Sequence, residues 1–433
     1  MANLIINGGR KLHGTLRTNS AKNSAVAILC ATAMIKGKTT LSEVPRIEEV
    51  NRIIEILVSL GLKIRWSAKH KLEIINNGHL LPQKINRESF LQTRSALLLM
   101  AALSASFKKF SLPKSGGCKL GKRTVSPYIL ALNYLGIKVK QSLNTYTISY
   151  EKKRGVEFTM YEQSDTGTEN TIMAAVLTPG KTIMHLASTN YMVQDLIVFL
   201  QRAGAKIKMD DGTIIINGVK KLQAVKDYPI MPDPIESMAF ISLAVTTKSH
   251  LKITRCPIDF LRLELEKLKV MGQKFNISHL HISQNKHFKL VDIEIFPSQL
   301  RALDDKLHPQ TYPGLNIDNL PLFVPILTQA KGATLVHDWI YENRAIYYTE
   351  LSHLGADIML HDAHRVTVTG PTKLKPNNMI CPPALRPSIN ILIAMLAASG
   401  KSILKNSYAI DRGYENLAAR LNKVGAHIEV QES

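Results

Sequence analysis

The sequence predicts an α/β protein assembled from six copies of one helix–glycine–strand unit, three to a domain. Three observations lead there. The chain has 433 residues, a length that suits two or three domains better than one. A short phrase recurs along it: Leu60-Gly61-Leu62, Leu135-Gly136-Ile137, Ala203-Gly204-Ala205, Met271-Gly272-Gln273, Leu354-Gly355-Ala356 and Val424-Gly425-Ala426. An apolar stripe at helical spacing precedes each copy and an alternating segment follows it, which reads as helix, glycine just past its end, then strand. The glycines lie 75, 68, 68, 83 and 70 residues apart, the period of a repeated supersecondary unit.

Each unit opens on a segment that is apolar nearly all round: residues 20–34, 93–103, 167–177, 234–245, 316–327 and 385–396. A helix without a polar face is a buried one, so these six are the expected cores. In the first unit this helix leads to Gly37-Lys38-Thr39, a turn into a β-rich stretch. The stripe Val50, Ile53, Ile54, Ile56 and Leu57 then gives a second helix ending at Gly61. The same turn stands at Gly180-Lys181-Thr182, Gly332-Ala333-Thr334 and Gly400-Lys401-Ser402. The Gly-Lys-Thr/Ser triplets are not phosphate loops, which need a glycine five residues earlier; Thr32, Ala175 and Met395 stand there. Each buried helix begins with polar residues: Lys22 and Asn23, Arg94, Glu169 and Asn170, Glu236, Asp318 and Asn319, and Arg386. Six equivalent helix N-termini facing a common region would suit a phosphorylated ligand, through free N–H groups and the helix dipole. Taken singly, each residue reads as well as an ordinary N-cap.

Composition narrows the partners. With 45% hydrophobic and 21% charged residues the chain is not globally disordered. Lys and Arg number 55 against 34 Asp and Glu, a formal charge of +21. That points to anions: nucleic acid, a membrane surface or small phosphorylated molecules. Aromatic residues make up only 6%, too few for a stacking platform on single strands. The longest apolar run, 25–35, falls short of the roughly 20 residues a membrane span needs. The first residues lack the basic and apolar regions of a signal peptide. Cys30, Cys118, Cys256 and Cys381 are scattered without a CxxC pair, which argues against a zinc ribbon or a disulfide framework and for a reducing cytoplasm. His361 and His364 do not have the spacing of a zinc helix.

Three segments concentrate chemistry. Between Ser111 and Thr124, Gly116, Gly117 and Gly121 make a mobile loop whose one thiol, Cys118, is surrounded by Lys114, Lys119, Lys122 and Arg123. Nearby cations lower a thiol pKa and suit it to proton donation or nucleophilic attack. Asp318 follows the Pro313-Gly314 turn ahead of a buried helix, where a carboxylate serves as a cap or as a general base. Tyr341-Glu342-Asn343-Arg344 and Asp411-Arg412-Gly413-Tyr414-Glu415 each set an arginine beside a carboxylate, for an anionic ligand or for a structural ion pair.

Together these segments resemble the enolpyruvyl transferases from end to end. The resemblance is carried by Ser20-Ala21-Lys22-Asn23, Gly116-Gly117-Cys118 with Gly121 and Arg123, Gly167-Thr168-Glu169-Asn170 and Pro232-Asp233-Pro234-Ile235-Glu236. Tyr312-Pro313-Gly314 with Asp318, Tyr341 to Arg344, Leu385-Arg386 and Asp411 to Glu415 complete it. It implies an inverse α/β barrel of two similar domains, each of three ββαβ-type repeats, with the active site in the interdomain cleft. One domain would take 1–21 and 232–433, the other 22–231 with the Cys118 loop as a lid. It implies transfer of the enolpyruvyl group of phosphoenolpyruvate to the 3′-hydroxyl of UDP-N-acetylglucosamine with release of phosphate, the first committed step of peptidoglycan synthesis.

By the same resemblance Cys118, the residue fosfomycin alkylates, protonates the phosphoenolpyruvate methylene carbon, and Asp318 takes the hydroxyl proton. Lys22 and Arg412 join them as catalytic residues. Lys22, Asn23, Arg94, Arg123, Arg344 and Arg412 bind phosphoenolpyruvate. Asn23, Arg94, Arg123, Thr124, Val125, Ser126, Gly167, Thr168, Ile317, Asp318 and Tyr341 bind the UDP-sugar. It implies a cytoplasmic monomer with no metal, cofactor, membrane insertion or nucleic-acid partner. The sequence departs from the family pattern in three places. Lys114 and Ser115 lengthen the lid, Thr124-Val125-Ser126-Pro127-Tyr128 replaces a Pro-x-Asp-x-His pattern, and Ala384 replaces an aspartate before Leu385-Arg386. These leave two other readings in view: an enolpyruvyl transferase with a different nucleotide or nucleotide-sugar acceptor, and a nucleotide- or RNA-binding relative without catalysis.

Overall fold

The computed structural model describes residues 2–116 and 124–432. Among the described residues the six repeat glycines, at 61, 136, 204, 272, 355 and 425, all have φ between 85° and 105°. This left-handed region is one a side chain enters at a cost, and there each glycine ends a helix and turns the chain into a strand. The glycine turns at 37, 180, 332 and 400 also have positive φ, and in the fourth repeat Lys248 takes that conformation at φ 50°.

The chain divides into two compact units. The terminal unit takes residues 2–19 and 232–432, and the inserted unit takes 20–116 and 124–231. Among the described residues each holds three small sheets, and five of the six have one plan: three antiparallel strands with a short parallel strand on one edge. In the inserted unit Gly37–Ser42 pairs antiparallel with Lys71–Asn76 and parallel with Tyr228–Pro229. Lys181–His185 likewise pairs antiparallel with Thr213–Asn217 and parallel with Glu157–Thr159. Among the described residues, the sheet of Lys109–Pro113, Thr145–Ser149 and Lys138–Gln141 shows no parallel edge.

In the terminal unit the last repeat is completed from the other end of the chain. Ala2–Gly8 lies between Gly400–Lys405 and Ile428–Glu432, antiparallel to both. His13–Arg17 then forms the parallel edge of the sheet built on His250–Pro257.

The all-round apolar helices are buried. All residues of Pro234–Thr246 and of Leu320–Leu327 are buried, as are eleven of Leu385–Ala397, and these three helices pack on one another in the terminal unit. In the inserted unit Lys22–Thr32 and Asp165–Ala175 both pack on Leu99–Leu103 or its lead-in. Two repeats differ from the sequence expectation. The segment expected as a helix from residue 93 opens as a 3₁₀ turn, Arg94–Leu98, before the short helix Leu99–Leu103. The second helix of the fifth repeat, Ala345–Leu354, is 3₁₀ throughout.

Strand Ala2–Gly8 ends against the helix it covers. A Cβ on Gly8 would stand 2.1 Å from the Met395 carbonyl oxygen and 2.3 Å from that of Ala398, and backbone cannot yield as a side chain can. Gly8→Ala is expected to destabilise the fold by about 3 kcal/mol, the upper part of the overpacking range, read as a lower urea midpoint. An unchanged midpoint would mean that the strand does not press on this helix.

Candidate active site

In the inserted unit, Lys22 opens the helix Lys22–Thr32, whose first turn carries no acid and whose N-cap, Ala21, supplies no side-chain bond. Asn23 Nδ2 donates to the Tyr191 hydroxyl at 3.0 Å. Ser164 caps Asp165–Ala175 by accepting from the Gly167 N–H at 3.3 Å. Gly167 lies under Tyr128, whose ring carbon would be 3.1 Å from a Cβ there. Thr168 is wholly buried, and its hydroxyl accepts from the Ser188 N–H at 3.0 Å. Glu169 and Asn170 sit one turn inside this helix instead of at its start, because Ser164 rather than a later residue begins it.

Arg94, Thr124 and Ser126 are brought together. Arg94 Nη2 donates to the Thr124 carbonyl at 3.1 Å, and the Thr124 hydroxyl accepts from the Ser126 N–H at 3.0 Å. Val125 is the buried N-cap of Ser126–Tyr134. Cys118 and Arg123 lie outside the described residues.

The terminal unit holds the densest arrangement. The turn 316–319 is tied to Glu264, whose Oε1 accepts from Asn319 Nδ2 at 2.7 Å and from the Asn316 N–H at 3.3 Å. Burial pushes the Glu264 carboxyl up, against these hydrogen bonds. The Asp318 N–H donates to Asn316 Oδ1 at 2.8 Å. The Asp318 carboxylate, 22% exposed, then meets two guanidinium groups: Arg344 Nη1 at 3.6 Å from Oδ1 and Arg386 Nη2 at 3.3 Å from Oδ2. Arg386 lies in the first turn of Leu385–Ala397, and its Nη1 donates to the Tyr414 hydroxyl at 3.3 Å. Burial pushes the Tyr414 phenol up, although Arg386 pulls the other way.

Arg344 has no exposed surface. Its Nε and Nη2 donate to Asp338 at 2.5 and 2.8 Å, and Nη2 also reaches the Ile317 carbonyl at 2.6 Å. The guanidinium lies 4.3 Å from the Tyr341 ring centre. Burial opposes its charge, but the Asp338 carboxylate outweighs that and holds it protonated. Ile317, Asp318, Tyr341 and Arg344 are thus assembled in one place. Ala384, the N-cap of Leu385–Ala397 with no side-chain cap bond, is buried against Tyr341, and Ile317, Ile340 and Tyr347 pack on the pair. Arg412 stands at the C-cap of the short helix Tyr408–Asp411, two residues before Tyr414.

Sequence reading missed Asp338, Tyr348 and Glu264. Asp338 is six residues from its arginine across an irregular turn, a spacing with no helical or strand period to flag it. Glu264 reaches residues 316 and 319 only through tertiary packing.

Residues 6–421 match the sequence profile of EPSP synthase (3-phosphoshikimate 1-carboxyvinyltransferase). The chain is 32% identical over 429 residues to a UDP-N-acetylglucosamine 1-carboxyvinyltransferase of Bradyrhizobium diazoefficiens, covering 98% of this chain and 97% of that one. The chain belongs to the EPSP synthase family. It is an enolpyruvyl transferase, an enzyme that carries the enolpyruvyl group of phosphoenolpyruvate to an acceptor.

Solved structures of the family share its fold. The enolpyruvyl transferase NikO from Streptomyces tendae superposes with a TM-score of 0.86 at 21% identity, covering 100% of this chain and 99% of that one. EPSP synthase from Acinetobacter baumannii gives 0.77 at 18%, covering both chains fully. No helix among the described residues is long and apolar enough to cross a membrane.

Glu169 makes the state of the inserted unit's site depend on pH. Burial first, then the neighbouring Asp165, push its carboxyl well above the ordinary value of 4.5, against the pull of Lys22. The folded chain therefore keeps a proton that the unfolded chain has lost, and stability falls as pH rises above 4.5 towards the folded value. Glu169→Gln is neutral at every pH and removes that slope. Its urea midpoint is expected to gain on the parent between pH 5 and pH 8. An equal difference at both pH values would show that Glu169 titrates normally.

Proposed function

We propose that this enolpyruvyl transferase takes the 3′-hydroxyl of UDP-N-acetylglucosamine as its acceptor, so that its product enters peptidoglycan synthesis. The identity of 32% with a protein of that name, over nearly its whole length, supports this acceptor. The observation that carries the chemistry is Asp318, a partly exposed carboxylate held by the buried Arg344 and Arg386. A carboxylate fixed beside two cations is held in one orientation, and the same cations stabilise negative charge that develops on a reacting group.

The reaction runs by addition and elimination. Asp318 takes the proton of the acceptor hydroxyl as its oxygen bonds to C2 of phosphoenolpyruvate. Cys118 delivers a proton to the methylene carbon, which becomes a methyl group in a tetrahedral ketal. Loss of a proton from that methyl then restores the double bond, and phosphate departs with the electrons of the C2–O bond. Lys22, Arg123 and Arg412 hold the phosphate and carboxylate of the donor, and Asn23, Arg94 and Arg344 orient it or neutralise charge around it. Thr124, Val125, Ser126, Gly167, Ile317 and Tyr341 are the residues the family resemblance gives to the acceptor, and Thr168, buried with its hydroxyl on the Ser188 N–H, supports them from behind.

Phosphate release from phosphoenolpyruvate, followed with and without UDP-N-acetylglucosamine, tests this reading. Release is expected only with the sugar nucleotide. Asp318→Asn is expected to lower kcat by about 10²-fold or more, the range for a lost general base, and Cys118→Ala to lower it as well. Release with a different nucleotide sugar but none with this one would overturn the acceptor assignment. Full activity of Cys118→Ala would overturn the role of the thiol.

A further inference from the structure

The buried Arg344 guanidinium has more partners than its contact with Asp318 requires, and their arrangement is specific. Asp338 is fully buried and takes the Nε and Nη2 edge of Arg344 as a two-pronged acceptor. The Tyr348 hydroxyl donates to the same Asp338 Oδ2 at 2.5 Å. The backbone of Asp338 is itself fastened: its N–H donates to the His364 carbonyl at 2.7 Å, and His364 Nδ1 lies 3.1 Å from its carbonyl oxygen. Nη2 is further engaged by the Ile317 carbonyl, and the Tyr341 ring covers a face of the guanidinium. One nitrogen remains. Nη1 is buried, has no hydrogen-bond partner, and stands 3.6 Å from Asp318 Oδ1.

We propose that Asp338 and Tyr348 form a positioning pair that locks the Arg344 guanidinium with its Nη1 edge presented to Asp318 and to charge forming beside it. A planar fork gripped on one edge can rotate in neither direction, so its free edge has a fixed aim. The distance of 3.6 Å is too long for a good hydrogen bond. Nη1 therefore keeps its hydrogen-bonding capacity for negative charge that forms beside Asp318. Neither Asp338 nor Tyr348 touches substrate; both act through Arg344. The inference rests on Asp318 and Arg344 acting in the reaction as proposed for this site.

The test uses the full-length enzyme with two variants and two readouts. Asp338→Asn removes the charge that pairs with Arg344, and Tyr348→Phe removes only the hydroxyl behind it. A misaimed cation costs about 10²-fold in rate, so Asp338→Asn is expected to lower kcat for phosphate release by about that factor. Tyr348→Phe is expected to lower it by about tenfold, equivalent to the loss of one charge-assisted hydrogen bond. If Asp338→Asn does not fold, Tyr348→Phe carries the test.

The second readout is the side-chain N–H resonance of Arg344 in protein labelled at arginine, assigned by its loss in Arg344→Lys. It is expected to be protected from exchange in the parent, and shifted and less protected in both variants. A fall in kcat with an untouched Arg344 resonance would overturn the proposal, and so would unchanged kcat in the variants. If the parent enzyme releases no phosphate with any acceptor, the catalytic reading fails. The resonance still decides whether Asp338 and Tyr348 hold the arginine.

Discussion

A guanidinium with no exposed surface sets the terms for the site around it. Arg344 is permanently charged, and an ion moved out of water costs several kcal/mol unless it is paired and hydrogen-bonded. Asp338 supplies the pair, and it too is fully buried, so each ion exists in the core only because the other does. Tyr348 donates to Asp338, and the Ile317 carbonyl and the Tyr341 ring engage the guanidinium, which leaves Nη1 alone without a hydrogen bond. Breaking such a pair by removing one partner typically costs about 3–5 kcal/mol. The turn bearing Asp318 is anchored to this arginine through Ile317 on one side and to Glu264 through Asn316 and Asn319 on the other. The result is a carboxylate held on a rigid turn, the preorganisation that the base proposed here would need.

The repeat architecture explains why such groups recur. Each unit places a buried helix in the core, and several carry polar residues at or near the point where the helix begins. Lys22 and Asn23 in one helix, Arg386 in another and Asp318 just ahead of a third are examples of one design used repeatedly. The last repeat borrows Ala2–Gly8 as its middle strand, which joins the two ends of the chain in one sheet. Loss of the aspartate pattern at Ala384 fits the same packing logic. The residue is buried against Tyr341, and Arg386, which follows two positions later, finds its carboxylate in Asp318.

Much of the fold was legible in the sequence because its signals are local. A glycine that must take positive φ after an apolar stripe marks a helix end wherever it occurs, and all six repeat glycines do so. The helices at 94–103 and 345–354 were less legible, since the difference between an α and a 3₁₀ turn there is not written in hydrophobic period. Of the site, Asp318 and Arg344 could be named from their motifs. Asp338 could not, because an acid six residues from its arginine has no local rule, and neither could Glu264, whose role exists only once strands and helices have packed. Thr168 shows the reverse case: a motif residue whose hydroxyl is engaged inside the core.

The base proposed at Asp318, set beside two arginines, suits a reaction in which phosphate leaves by cleavage of the C2–O bond of phosphoenolpyruvate, not by transfer of a phosphoryl group. The most direct measurement places a heavy-oxygen label in the bridging C–O–P position and follows it by mass spectrometry during turnover with acceptor. Addition and elimination predict that the label departs in inorganic phosphate. A label retained on the carbon skeleton would mean that the P–O bond had broken. It would contradict the roles of Asp318 as base and of the surrounding cations as stabilisers of the addition step.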